Sequence, residues 1–170
     1  MQDGLDAFAA EAEAFVAWFG QPPADEAAAA REALVRLTRL FLAGLGLPAP
    51  DPAAWEKEPD APSVSHEEWD IVFRSLAWLP VDFYSCTIDP LEVPGSELVV
   101  GSVADDLADV WGDVEGGLRA WRRGHRAAAC WAWGFHFRCH WGRHATQAME
   151  ALRAWLEANE PGRLTGDAPA

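Results

Sequence analysis

Two helical runs joined by a link of a few residues constrain this 170-residue chain more than any other feature in it. The first, SVADDLADVWGDVEGGLRAWRRG, begins at Ser102, and the second, RAAACWAWGFHFRCHWGRHATQAMEALRAWLEAN, ends at Asn159. At helical spacing, Val103, Leu107, Val110, Trp111, Val114, Leu118 and Trp121 share one face of the first run. Cys130, Trp133, Phe137, Trp141, Ala145, Ala148, Leu152 and Trp155 share one face of the second. Each apolar stripe has to be buried against another element, and the RGHR link predicts that the two helices fold back on each other as a long antiparallel hairpin.

Polar stripes run along the edges of those two faces. The first helix carries Asp106, Asp109 and Asp113; the second carries His136, His140 and His144 at a strict four-residue spacing. A hairpin centred at Gly124–His125 pairs residues whose numbers sum to about 249. That register sets Asp106 near His144, Asp109 near His140 and Asp113 near His136. Two chemistries fit such a seam. In one, each imidazole pairs with a carboxylate in a structural ladder that raises the His pKa. In the other, imidazoles at i and i+4 share a divalent ion such as Zn²⁺ or Fe²⁺, with a carboxylate as third ligand. The ladder is the reading the sequence favours, and no cofactor is expected unless the seam holds such an ion.

The remainder of the chain predicts an all-α, single-domain bundle of about five helices over residues 1–160, with residues 161–170 a flexible tail. A first helix spans about Gly4 to Phe19, with Leu5, Phe8, Ala12, Phe15, Val16 and Phe19 on one face. A second runs from an Asp25 cap to about Ala43 and presents Leu34, Leu37, Leu40 and Phe41. A third opens at Ser65 with a capping box to Glu68 and carries Trp69, Val72, Phe73, Leu76 and Leu79. The Pro-rich acidic stretch PAPDPAAWEKEPDAP reads as a surface loop, and Val81 to Gly101 as an ordered loop laid across the hairpin.

Charge narrows the partners. With 27 acidic residues against 13 Lys and Arg, the net charge of −14 opposes nucleic acid and anionic lipid, which need their phosphates neutralised. It suits a protein partner with a basic surface, met by the Asp51–Asp60 loop and by Glu11, Glu13, Asp25 and Glu26. Ten Trp imply extensive aromatic packing. Cys86, Cys130 and Cys139 form no C-x-x-C pair, which fits a reducing, cytoplasmic compartment. The opening MQDGLDAF lacks signal-peptide character, and no stretch suits a membrane span.

The elements VDFYSCTIDPLE, ADDLADVWGDVEGGLRAW and WAWGFHFRCHWGRHATQAMEALRAW, in that order from Val81 to Leu156, resemble a bacterial family of domains of unknown function, number 5063. The positions that carry the resemblance are Tyr84, Asp89, Pro90, Asp105, Asp106, Leu107, Asp109, Asp113, Trp141 and Gly142. It implies an intracellular helical domain without an established activity. It also implies relatives with Ser, Asn or Thr at the three His positions, so that a metal site would belong to this chain rather than to the family.

Other chemistries are poorly served. Asp105-Asp106-x-x-Asp109 matches the D-D-x-x-D string of isoprenoid synthases, but the second acidic cluster and the basic groups that grip diphosphate are missing. No Gly-rich phosphate loop or G-x-S-x-G elbow occurs. Cys139 and His140 are neighbours on a helix, so their side chains diverge by about 100°. The sequence therefore favours a non-enzymatic protein that binds a basic partner, as an adaptor or a toxin-neutralising protein would, with a metal-binding protein or metal-dependent hydrolase as the alternative.

Overall fold

A computed structural model describes residues 2–21, 23–49 and 62–160. The expected flexible tail at 161–170 and the acidic Asp51–Asp60 loop lie outside those residues. Among the described residues the fold is an all-α bundle with one small hairpin of strands. In chain order it runs α1 (Gln2–Val16), α2 (Glu26–Gly44), α3 (His66–Ser75), β1 (Phe83–Thr87), β2 (Leu98–Ser102), α4 (Val103–Arg122), α5 (Arg126–Cys139) and α6 (Trp141–Asn159).

The helix starts follow from local chemistry. Asp25 accepts the amide of Ala28 at 2.7 Å and caps α2. At α3, Ser65 and Glu68 satisfy each other's backbone amides. Ser102 caps α4 by accepting from Asp105 N, and Asp105 and Asp106 place negative charge in the first turn, where the helix dipole favours it. Helix α4 is the hub, with α1, α3, α5 and α6 all packed against it, while α2 lies on α1 and α6.

The core holds Phe8, Phe15, Leu37, Leu40, Leu107, Leu118, Trp133, Trp141, Leu152 and Leu156. Trp133 seals α5 to α4: it is fully buried, donates from Nε1 to the Val114 carbonyl at 3.0 Å, and lies 4.8 Å from the Phe8 ring. Gly117 makes that approach possible, since a Cβ there would sit 2.1 Å from Trp133 Nε1. At the periphery Glu115, nearly buried, pairs with Arg119 and Arg122, which reach on to Glu68 of α3 and Glu13 of α1.

Two elements differ from the sequence expectation. The long last helix breaks at His140, whose φ of −143° and ψ of −86° leave the helical region. Gly142 permits the break, because a Cβ there would sit 2.2 Å from the Phe137 carbonyl oxygen. The apolar spacing Phe137, Trp141, Ala145 continues across the break and so conceals it. Second, Val81–Gly101 contains an antiparallel pair, with Tyr84 opposite Gly101 and Cys86 opposite Val99, where a loop was expected. Its inner face rests on the helices; a Cβ at Gly101 would sit 2.3 Å from the Tyr84 ring.

Candidate metal centre

The fold-back of α5 and α6 on α4 brings the carboxylate stripe to the imidazoles. Asp106, 3% exposed, takes His144 Nδ1 on Oδ1 at 2.7 Å. Its other oxygen accepts the Tyr84 hydroxyl at 2.5 Å, and burial together with this acceptor pushes the Tyr84 pKa up. Asp113 Oδ2 lies 2.8 Å from His140 Nδ1. Between these two carboxylates stands Asp109, whose Oδ1 accepts the indole N–H of Trp69 at 2.9 Å. Its Oδ2 is 3.5 Å from His144 Nε2 and 3.9 Å from His140 Nε2.

The three expected neighbours are each within 4 Å, Asp106 with His144, Asp109 with His140 and Asp113 with His136, and His140 makes a further, shorter contact with Asp113. His140 reaches Asp113 with Nδ1 and faces Asp109 with Nε2. His136 Nδ1, by contrast, lies 3.3 Å from Asp113 Oδ1 without hydrogen-bond geometry and is buried without a hydrogen-bond partner. The six residues of the seam therefore divide: Asp109, His140 and His144 converge, Asp106 and Asp113 hold the two imidazoles from behind, and His136 borders Asp113 from α5. The periodicity of α3 assigns Trp69 to the core, and only the need of an indole N–H for an acceptor hints at its contact with Asp109.

The tautomers follow from the partners. Asp106 and Asp113 accept hydrogen bonds, so the Nδ1 of each imidazole carries the proton. In a neutral ring Nε2 then holds a lone pair, and both lone pairs face Asp109 Oδ2, itself an acceptor. Acceptors opposed at such distances repel unless a proton or a cation stands between them. The three donor atoms lie within 4.8 Å of one another. Ligand bonds of about 2.0–2.2 Å in a tetrahedral zinc site imply donor separations of about 3.4 Å, so small side-chain shifts would close the set on one ion.

The surrounding charge favours a cation. Burial, followed by the carboxylates of Asp109 and Asp106, pushes the Asp105 pKa up. Asp113, by its hydrogen bond, and then the charges of Asp109 and Asp105 raise the pKa of His140 against the opposing effect of burial. Cys139, exposed at the end of α5, has its thiol pKa raised by partial burial and by Asp113, which disfavours a thiolate nucleophile. The centre borders a cleft of about 700 Å³ whose lining includes His66, Trp69, Gly112, Trp131 and His136.

The family described as "Domain of unknown function (DUF5063)" matches residues 1–157, so its pattern extends through the N-terminal helices, beyond the motifs of Val81–Leu156. The crystal structure of protein BF1032 from Bacteroides fragilis is similar in fold, with a TM-score of 0.69 and 19% sequence identity over 89% of this chain and 94% of that one. No curated protein matches the chain. Among the described residues no helix is long and apolar enough to cross a membrane.

Proposed function

The chain belongs to the DUF5063 family, a family of unknown function, and for this member we propose a divalent-metal-binding protein with Asp109, His140 and His144 as ligands. One observation carries the reading: two Nε2 atoms face a single carboxylate oxygen while a different carboxylate holds each Nδ1. Carboxylate–imidazole–metal relays are built this way, because the rear carboxylate fixes tautomer and ring orientation and makes the ligand more basic. A ladder of neutral imidazoles uses one carboxylate per ring, whereas His140 and His144 each face two, so a second proton on each ring or one shared cation has to offset Asp109. The donor set of two imidazoles and a carboxylate suits Zn²⁺ or Fe²⁺. Three protein ligands leave a coordination position for water or a small molecule, and an ion of this kind lowers the pKa of bound water. Hydrolysis is thus the reaction class the site would serve.

Metal analysis of protein purified without a histidine tag tests the proposal. The expected result is about one equivalent of zinc or iron per chain, and a melting temperature that falls on adding chelator, by mass action. Metal-free protein that melts at the same temperature with and without added Zn²⁺ would refute it.

The pH response separates the two chemistries of the seam. In metal-free protein the raised pKa of His140 means that its contribution to stability is complete below the unfolded value of about 6.5 and is lost as pH rises through the folded value. Ligand imidazoles must be deprotonated, so stabilisation by the ion grows over that same window. Melting curves between about pH 6 and 8 should therefore slope downward with chelator and show a widening gap on adding Zn²⁺.

A further inference from the structure

We propose that the outward face of the β1–β2 hairpin is the docking surface for a protein partner whose apolar patch is bordered by Lys and Arg. Strand periodicity divides the hairpin's side chains. Tyr84, Cys86, Val99 and Gly101 lie toward the helices, and Tyr84 is fixed there by Asp106. The alternate positions face away: Phe83, Leu98 and Val100 are 73%, 73% and 74% exposed. In the segment that joins the strands, Leu91 and Val93 are 88% and 84% exposed. Isolated exposed apolar side chains are ordinary, but a contiguous group on one face marks an interaction site.

The same face is presented in fixed form. Arg143 of α6 donates to the Ile88 carbonyl at 3.0 Å, and Val103 N donates to the Asp82 carbonyl at 2.8 Å, so both ends of the hairpin are tied to the helices. A surface held in one shape loses less conformational entropy when a partner binds.

Charge selects the occupant. Asp89, Glu92 and Glu97 are exposed around the apolar group, and residues 81–102 contain no Lys or Arg. A second copy would bring the same acidic rim and another net charge of −14 against the first. Anionic membrane and nucleic acid are opposed by the same field. A basic partner is attracted, while three of the four acidic residues the sequence singled out at the N-terminal end are already engaged: Glu11 with Arg39, Glu13 with Arg122, and Asp25 as the α2 cap.

The test places a photo-crosslinking amino acid at Val100 of the full chain in its native host, with the same group at exposed Val35 of α2 as the control. The expected result is one dominant adduct at Val100, absent at Val35, with a protein of isoelectric point above about 9. Its yield should fall at least about tenfold in Leu98→Ser/Leu91→Ser, the loss that removing interface anchors brings, with the melting temperature unchanged. Purified partner should dissociate as salt is raised towards about 0.5 M. Adducts with a second copy, with lipid or with an acidic protein would each overturn the proposal, as would no adduct or a yield indifferent to Leu98→Ser/Leu91→Ser.

Discussion

Asp106→Ala is expected to lower metal affinity by about 10–100-fold and to destabilise metal-free protein by about 1–3 kcal/mol. Asp106 ligates nothing itself in this account. It accepts from both His144 and Tyr84, and it is nearly buried, so truncation leaves an imidazole N–H and a hydroxyl without their acceptor. The loss of affinity follows because His144 Nδ1–H no longer has a carboxylate to fix the tautomer that aims the Nε2 lone pair at Asp109. Calorimetric zinc titration and urea unfolding in chelator measure the two effects separately. The paired control is Tyr84→Phe, which keeps the ring against Gly101 and removes a single donor, so its effect on metal affinity should be smaller. Equal zinc affinity in Asp106→Ala and the parent would mean that His144 is oriented by something else.

Trp133→Ala should have the largest effect on stability, about 3–5 kcal/mol, as removal of a fully buried aromatic side chain does. The cavity would open between α4 and α5 at the level of Gly117 and Phe8, where the close backbone approach gives the walls little room to collapse. For a chain of this size the melting temperature should drop by roughly 6–20 °C. A further consequence reaches the polar seam, because Trp133 holds α5 against the helix that bears Asp113. Loosened packing there should weaken zinc binding less than Asp106→Ala does, since His144 stands on α6 and His140 at the break beyond the end of α5. A loss below about 1 kcal/mol would show that α5 is held to α4 by other contacts.

The helical stripes were legible because a period of 3.6 residues leaves a plain signature in Phe8, Ala12 and Phe15, in Leu37 and Leu40, and in Leu107, Val114 and Leu118. The antiparallel hairpin was legible too, since RGHR is too short for another course. The break at His140 was not, because no Pro marks it and Phe137, Trp141 and Ala145 keep their spacing through it. Nor do Trp69 and Tyr84 announce themselves in the sequence. They lie 40 and 22 residues from the carboxylates they touch, and only tertiary packing delivers their donors. The strands of the small hairpin were obscured by Pro90, Pro94 and Gly95, which all fall within the turn that joins them. Likewise Glu13 looks like open acidic surface in sequence, yet Arg122, 109 residues away, pairs with it.

Titration of metal-free protein with Zn²⁺, beside Asp109→Asn, tests the central claim most directly. Asp109→Asn retains size and the capacity to accept from Trp69 Nε1, but replaces the carboxylate that both Nε2 atoms face with an amide. The account predicts one zinc per parent chain, with binding lost or weakened by at least about tenfold in Asp109→Asn while its melting temperature in chelator changes little. Zinc binding that is unaltered by Asp109→Asn, or a parent protein that takes up no stoichiometric zinc, would contradict it and leave the seam as a set of structural hydrogen bonds.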